Sequence, residues 1–311
     1  MKQGKKICVL GTGNVGATIA YTIALSGMAA EIVLIDIAKD KAIGEAMDIS
    51  QGNSHITPVN IYSGDYPDAK GSDIVITTVG IARKPGMTRI DLAQTNVNIA
   101  KDVIPQITKV CPDAVYVIVS NPVDVITYTF SKRSGLDKSQ IIGSGTTIDT
   151  SRLQDNLAAK LAIDPRSINA YVLGEHGDTS FIPWSVSNIM GIPLLDYCKE
   201  VSVDIDTDKV LDEVRKAGAQ VISKKGATYY AIAMSVAKIC DAIIKDTKTV
   251  LPVSNYLDGQ YGISDVCVSL PHVVGANGVS KTLLPALTDG EVAQLKASAD
   301  ALKSVISSLD I

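Results

Sequence analysis

The chain has 311 residues, of which 46% are hydrophobic and 20% charged; 29 basic side chains stand against 33 acidic ones, for a formal charge of −4. This balance excludes disorder and gives no electrostatic case for nucleic acid. It predicts two domains, because a single core stops growing near about 250–300 residues. No apolar run approaches the roughly 18 residues that a membrane-spanning helix requires.

Lys2, Lys5 and Lys6 precede the apolar run ICVL, which ends after four residues at Gly11, too short for a signal peptide. Cys8, Cys111, Cys198, Cys240 and Cys267 form no CxxC pair, so the expectation is reduced thiols buried as small hydrophobes in a cytoplasmic protein. Apolar, β-branched runs follow at 7–10, 31–35, 59–62, 73–79, 115–119 and 140–144, as parallel strands covered on both faces would have. Helical patterns lie between them at 14–27, 39–50, 88–110 and 123–134, and this alternation predicts an α/β fold with a doubly wound parallel sheet. After about residue 145 the rhythm changes. A helix is expected from 149 to 162, antiparallel strands at SINAYVL, SFIPWSV and DVCVSL, and helices over 207–246 and 289–308. We therefore expect a Rossmann domain at 1–145 and an α+β substrate domain at 146–311, packed tightly around a cleft.

ICVLGTGNVGATIA sets Gly11, Gly13 and Gly16 between a strand and a helix, where a tight turn, a close backbone approach and helix–strand packing let helix amides face a pyrophosphate. Asp36 closes the second strand, twenty residues past Gly16. Its carboxylate accepts a ribose 2′-hydroxyl and repels a 2′-phosphate, so NAD is expected rather than NADP. Two further stretches carry polar groups suited to catalysis. GEHGDTS (174–180) sets His176 between glycines, and IDTSRL (148–153) puts Asp149 and Arg152 three apart on one helix face. Histidine can exchange a hydroxyl proton at neutral pH, a carboxylate on its far nitrogen would orient it, and an arginine fork holds a substrate carboxylate. No metal is called for. His55 and His272 have no such surroundings and are read as surface or structural residues.

Over its whole length the chain resembles the lactate/malate dehydrogenase family, through GTGNVG, Asp36, KPGMTR, SNPVDVITY (120–128), GSGTTIDTSRL (143–153), GEHGDTS and KKGATYYAIAMSVA (224–237). The resemblance implies His176 as proton donor and acceptor, Asp149 as its partner and Arg152 as the clamp on the substrate C1 carboxylate. It further implies Arg89 as the residue that polarises the reacting carbonyl, from a loop that closes over substrate, and Asn121 as a group near nicotinamide and substrate. Glu175, Thr228 and the GSGT stretch resemble lactate dehydrogenases. Arg83 and Met87 stand where those enzymes usually carry glutamine and often glutamate, and RKPGMTR resembles malate dehydrogenases, whose arginine faces a second carboxylate. The expected activity is thus a lactate dehydrogenase type with substantial or dominant oxaloacetate reduction, a dedicated malate dehydrogenase being the alternative. Gln154 and Asn169 occupy the positions where an arginine and a histidine bind fructose 1,6-bisphosphate in many bacterial relatives, so activation by it is not expected. A homotetramer, or a dimer, is implied. A catalytically silent NAD-binding protein would need none of His176, Asp149, Arg152 or Arg89, and a Rossmann-like methyltransferase fits Asp36 and the histidine–arginine set less well.

Overall fold

The computed structural model describes residues 4–82 and 86–311. Each apolar run of the first half forms a strand: β1 (Lys6–Leu10), β2 (Glu31–Ile35), β3 (Asn60–Ser63), β4 (Ile74–Thr77), β5 (Val115–Ile118) and β6 (Ile141–Gly143). Between them run α1 (Asn14–Ser26), α2 (Lys39–Gln51), α3 (Arg89–Val110) and α4 (Val123–Arg133). The second half contributes α5 (Thr147–Leu161), β7 (Ile168–Asn169), β8 (Asn188–Ile189), β9 (Ile192–Pro193), α6 (Leu194–Glu200), α7 (Thr207–Lys225) and α8 (Tyr230–Ile244). It ends with β10 (Thr249–Asp258), β11 (Ser264–Gly275), β12 (Gly278–Thr282) and α9 (Asp289–Ser307).

One nine-stranded sheet runs β12-β11-β10-β6-β5-β4-β1-β2-β3, and β7, β8 and β9 form a small sheet of their own. The six strands β1 to β6 are all parallel, in the order of a doubly wound sheet that reverses direction between β1 and β4. Successive side chains of each central strand go to opposite faces. Ile7, Val9, Ile32, Leu34, Ile74 and Ile76 meet α1 and α8 on one side, while Cys8, Leu10, Val33 and Val75 meet α3, α4 and α9 on the other. A third core joins α5, α6 and α7 through Leu153, Leu157, Leu194, Val210 and Val214. Burial on both faces explains why these strands lack polar alternation. All five cysteines are buried and unpaired.

The second half departs from expectation in three places. The helical pattern over 207–246 is two helices, because α7 ends at Gly226 and α8 begins at Tyr230. SFIPWSV gives only a bridge from Phe181 to Leu173, and Pro183 leads into a short 3₁₀ turn at Trp184–Val186. β10 was not among the expected strands; its Pro252 lies opposite Pro271 of β11, so both missing amides fall on one rung. β10 meets β6 at Ser254 and Gly143, and the antiparallel strands of the second half thereby extend the parallel sheet of the first.

His55 is exposed, whereas His272 is fully buried in β11, its Nδ1 3.1 Å from the Thr282 hydroxyl. Burial pushes the His272 imidazole down to about 3. A base whose folded value lies below its unfolded one contributes stability present above about pH 6.5 and lost as pH falls toward 3. Between pH 6 and 5 the natural chain should lose about 1 kcal/mol more stability to denaturant than His272→Leu. Equal losses in the two proteins would contradict this.

Candidate active site

The glycine turn, Asp36, the segment 78–82, Asn121 and the start of α5 all follow carboxyl ends of parallel strands, where open α/β sheets bind ligands. At the turn, a Cβ on Gly16 would lie 1.9 Å from the Gly11 carbonyl oxygen, so α1 can approach β1 only with glycine there. Gly13 differs. Its φ of −65° suits any residue, and a Cβ there would meet nothing within 4 Å. The chain's own packing does not require glycine at 13; the open space lies where a pyrophosphate would reach the amides of α1. Asp36 accepts the Thr12 N–H (2.6 Å) and hydroxyl (3.0 Å) on Oδ2 and the Ala38 N–H (2.9 Å) on Oδ1. Burial works against its charge, but these bonds outweigh burial and hold the carboxyl below its ordinary value. The residues fit a dinucleotide that has a free ribose hydroxyl.

On the substrate side, Asp149 lies in the first turn of α5, where the helix dipole favours an anion. Its Oδ2 is 2.5 Å from His176 Nδ1, and its Oδ1 accepts Arg152 Nη1 at 3.0 Å. Burial opposes the Asp149 charge, yet His176 and Arg152 leave the carboxyl below its usual range; in turn the Asp149 charge raises the His176 imidazole despite the burial of the ring. The GSGT stretch explains how α5 is aimed. Gly145 has φ +51°, and a Cβ there would lie 2.4 Å from Ser269 Oγ, which accepts the Thr146 N–H at 3.1 Å. The Thr146 hydroxyl donates to the Val172 carbonyl at 2.5 Å. Gly174 exchanges backbone bonds with Ser269 of β11, and Ser298 of α9 accepts the Glu175 N–H at 2.7 Å, which fixes the histidine loop.

Arg152 and Thr228 line one cavity of about 580 Å³, with Asn156, Glu213, Ala217 and Ala231. Arg152 also lies against Gly218 of α7, where a Cβ would stand 3.3 Å from Nη2. Arg89, in contrast, opens α3 behind a Thr88–Asp91 capping box and pairs at 2.5 Å with Asp178, both side chains at least 70% exposed. So exposed a pair holds its arginine weakly. Asn121 is exposed at the end of β5, and its carbonyl accepts Asn96 Nδ2 at 2.7 Å. Arg83 lies outside the described residues. Gln154 donates to the Ile168 and Ala170 carbonyls, and with Asn169 it lines a second cavity of about 660 Å³ that also includes Arg166 and Lys238. Among the described residues no cluster could hold a metal ion and no helix is long and apolar enough to cross a membrane.

Sequence reasoning missed Asn96, which is buried and also bonds both backbone groups of Ile81, and Asp124, which accepts the His176 N–H at 2.8 Å. Asp124 stood inside SNPVDVITY, yet an acid at a helix start has an ordinary explanation in the dipole. Nothing in the spacing marked Asn96.

Residues 5–143 match the family model of the lactate/malate dehydrogenase NAD binding domain, and 146–309 match its alpha/beta C-terminal domain. The chain belongs to the lactate/malate dehydrogenase family. It is similar to proteins named L-lactate dehydrogenase from Thermoanaerobacter pseudethanolicus (48% identical over 309 residues, 98% of this chain and 99% of the relative) and from Acetivibrio thermocellus (46% over 310 residues, 99% and 98%). Among solved structures it resembles a minor L-lactate dehydrogenase from Enterococcus mundtii in a ligands-bound form, with a TM-score of 0.96 and 39% identity over all of both chains. As in its family, the cofactor is NAD. The Gly13→Ala protein should therefore keep its melting temperature and bind NADH about tenfold more weakly or worse, some 1.4 kcal/mol, in a fluorescence titration. Unchanged affinity would contradict the placement of the pyrophosphate.

Proposed function

We propose that the protein is an NAD-dependent L-2-hydroxy-acid dehydrogenase of the lactate dehydrogenase type, interconverting pyruvate and L-lactate, and that Arg83 extends the reaction to oxaloacetate and L-malate. The observation that carries this reading is the single buried carboxylate of Asp149 shared by His176 and Arg152. Binding a dinucleotide needs neither bond. Residues 1–145 hold the cofactor, and 146–311 supply the histidine and the carboxylate clamp.

With Nδ1 held by Asp149, the proton of His176 that meets substrate is on Nε2. The Asp149 charge raises its proton affinity, which favours the protonated ring that reduction of a 2-oxo acid requires. Nε2 gives its proton to the carbonyl oxygen during reduction and takes it back from the hydroxyl during oxidation. Bound nicotinamide supplies or accepts the hydride. Arg152 has Nη1 on Asp149 and turns the rest of its fork to the C1 carboxylate. Arg89 leaves Asp178 to polarise the carbonyl, an exchange that the weakness of an exposed pair allows. Asn121 approaches the nicotinamide and substrate from the end of β5. A homotetramer or dimer working in the cytoplasm completes the proposal, with no activation by fructose 1,6-bisphosphate.

A guanidinium about 4 Å from a carboxylate at an effective dielectric near 20 gains roughly 4 kcal/mol before desolvation, and half of that shifts kcat/KM more than tenfold. Facing the methyl group of pyruvate, the same arginine loses hydration without return. The ratio of kcat/KM for oxaloacetate over pyruvate should thus fall more than about tenfold in Arg83→Gln. An unchanged ratio removes Arg83 from the account. Absence of NADH consumption with both acids would favour a silent NAD-binding protein.

A further inference from the structure

The reading of His176 as proton carrier leaves one buried acid beside it without a task. Asp124 stands in the first turn of α4, only 2% exposed, and its Oδ2 accepts the His176 N–H at 2.8 Å. Its other polar neighbour is the Ser254 hydroxyl of β10; among the described residues neither Oδ1 nor that hydroxyl completes a standard hydrogen bond. A fully buried carboxylate that is only half satisfied is costly to keep. A neutral acceptor would hold the loop equally well.

We propose that Asp124 is a positioning residue for the reaction, a second carboxylate whose buried charge, beyond anchoring the loop, favours the protonated form of His176. This rests on His176 being the proton carrier. Among the described residues, the charged groups around the ring are Asp149 and Arg152 from α5, Asp124 from α4, and Glu175 and Asp178 on its own loop, the last paired with Arg89 of α3; β10, β11 and α9 present the hydroxyls of Ser254, Ser269 and Ser298 nearby. Burial pushes the Asp124 carboxyl up to about 6, with Ser254 and the His176 N–H drawing it back, so it is ionised above that pH. The Asp124 and Asp149 charges both act to raise His176. Because its folded value is raised, Asp124 favours the fold below about pH 4 and loses that contribution as pH rises through about 6. Above that its charge burdens stability, as functional groups often do.

The test is Asp124→Asn, which keeps an acceptor for the His176 N–H and removes the charge alone. The chain has three histidines, so in ¹³C-histidine-labelled apoprotein the His176 ring can be assigned by loss of its signal in His176→Asn and titrated by NMR. Its midpoint should move down by about 0.5–1 pH unit, with a melting temperature at pH 7.5 equal to or above that of the natural chain. The alkaline midpoint of kcat/KM for 2-oxo-acid reduction should fall by the same amount. An unmoved His176 midpoint in the folded variant overturns the proposal. If Asp124→Asn does not fold, Ser254→Ala decides: loss of the hydroxyl that favours the charged carboxylate should lower the His176 midpoint in the same sense, and no change overturns the idea. A shifted midpoint in a protein that reduces no 2-oxo acid would sink the dehydrogenase reading and leave the coupling of the two residues standing.

Discussion

A single carboxylate, that of Asp149, is bonded at once to an imidazole and to a guanidinium inside the protein. Buried charge is tolerated only when its partners are fixed, since desolvation of a loose ion exceeds what a mobile partner returns. Much of the second half of the chain can be understood as the means of fixing them. α5 supplies Asp149 and Arg152 from one helix face, and the GSGT turn ties its start to β11. The histidine loop is held from three directions: by Ser269 of β11, by Ser298 of α9 and by Asp124 of α4.

This explains the continuity of the sheet across the two halves. β6 leads into α5, β10 runs antiparallel beside β6 and β11 antiparallel beside β10, so the strand that aims Asp149 and the strand that holds the His176 loop belong to one hydrogen-bonded surface. The dinucleotide turn lies at the carboxyl end of β1 in the same sheet. The glycine turn and His176 are thereby held in register by strand geometry rather than by a linker.

The first half was legible because its physics is local. Parallel strands covered on both faces must be apolar throughout, glycines must stand where α1 approaches β1, and Asp36 must end the second strand. His176, Asp149 and Arg152 were legible as residue types in unusual company, and the structure brings those three together. Arg89 was expected at the same site, and it reaches the histidine loop through its pair with Asp178. What could not be read depends on distant partners. Pro252 argues against a strand until Pro271 is seen opposite it. Nothing in its own segment marks Asn96, and Asp124 stands in a marked segment with an ordinary explanation at a helix start; the importance of both comes from a backbone group brought close by folding.

We propose that Asp149 serves His176 in proton transfer as well as in packing. Single-turnover reduction of a 2-oxo acid by Asp149→Asn, with NADH bound beforehand, tests it most directly. The hydride-transfer rate should fall at least about 100-fold below that of the natural chain at neutral pH, with NADH affinity unchanged. A rate within a few-fold of the natural chain would contradict it.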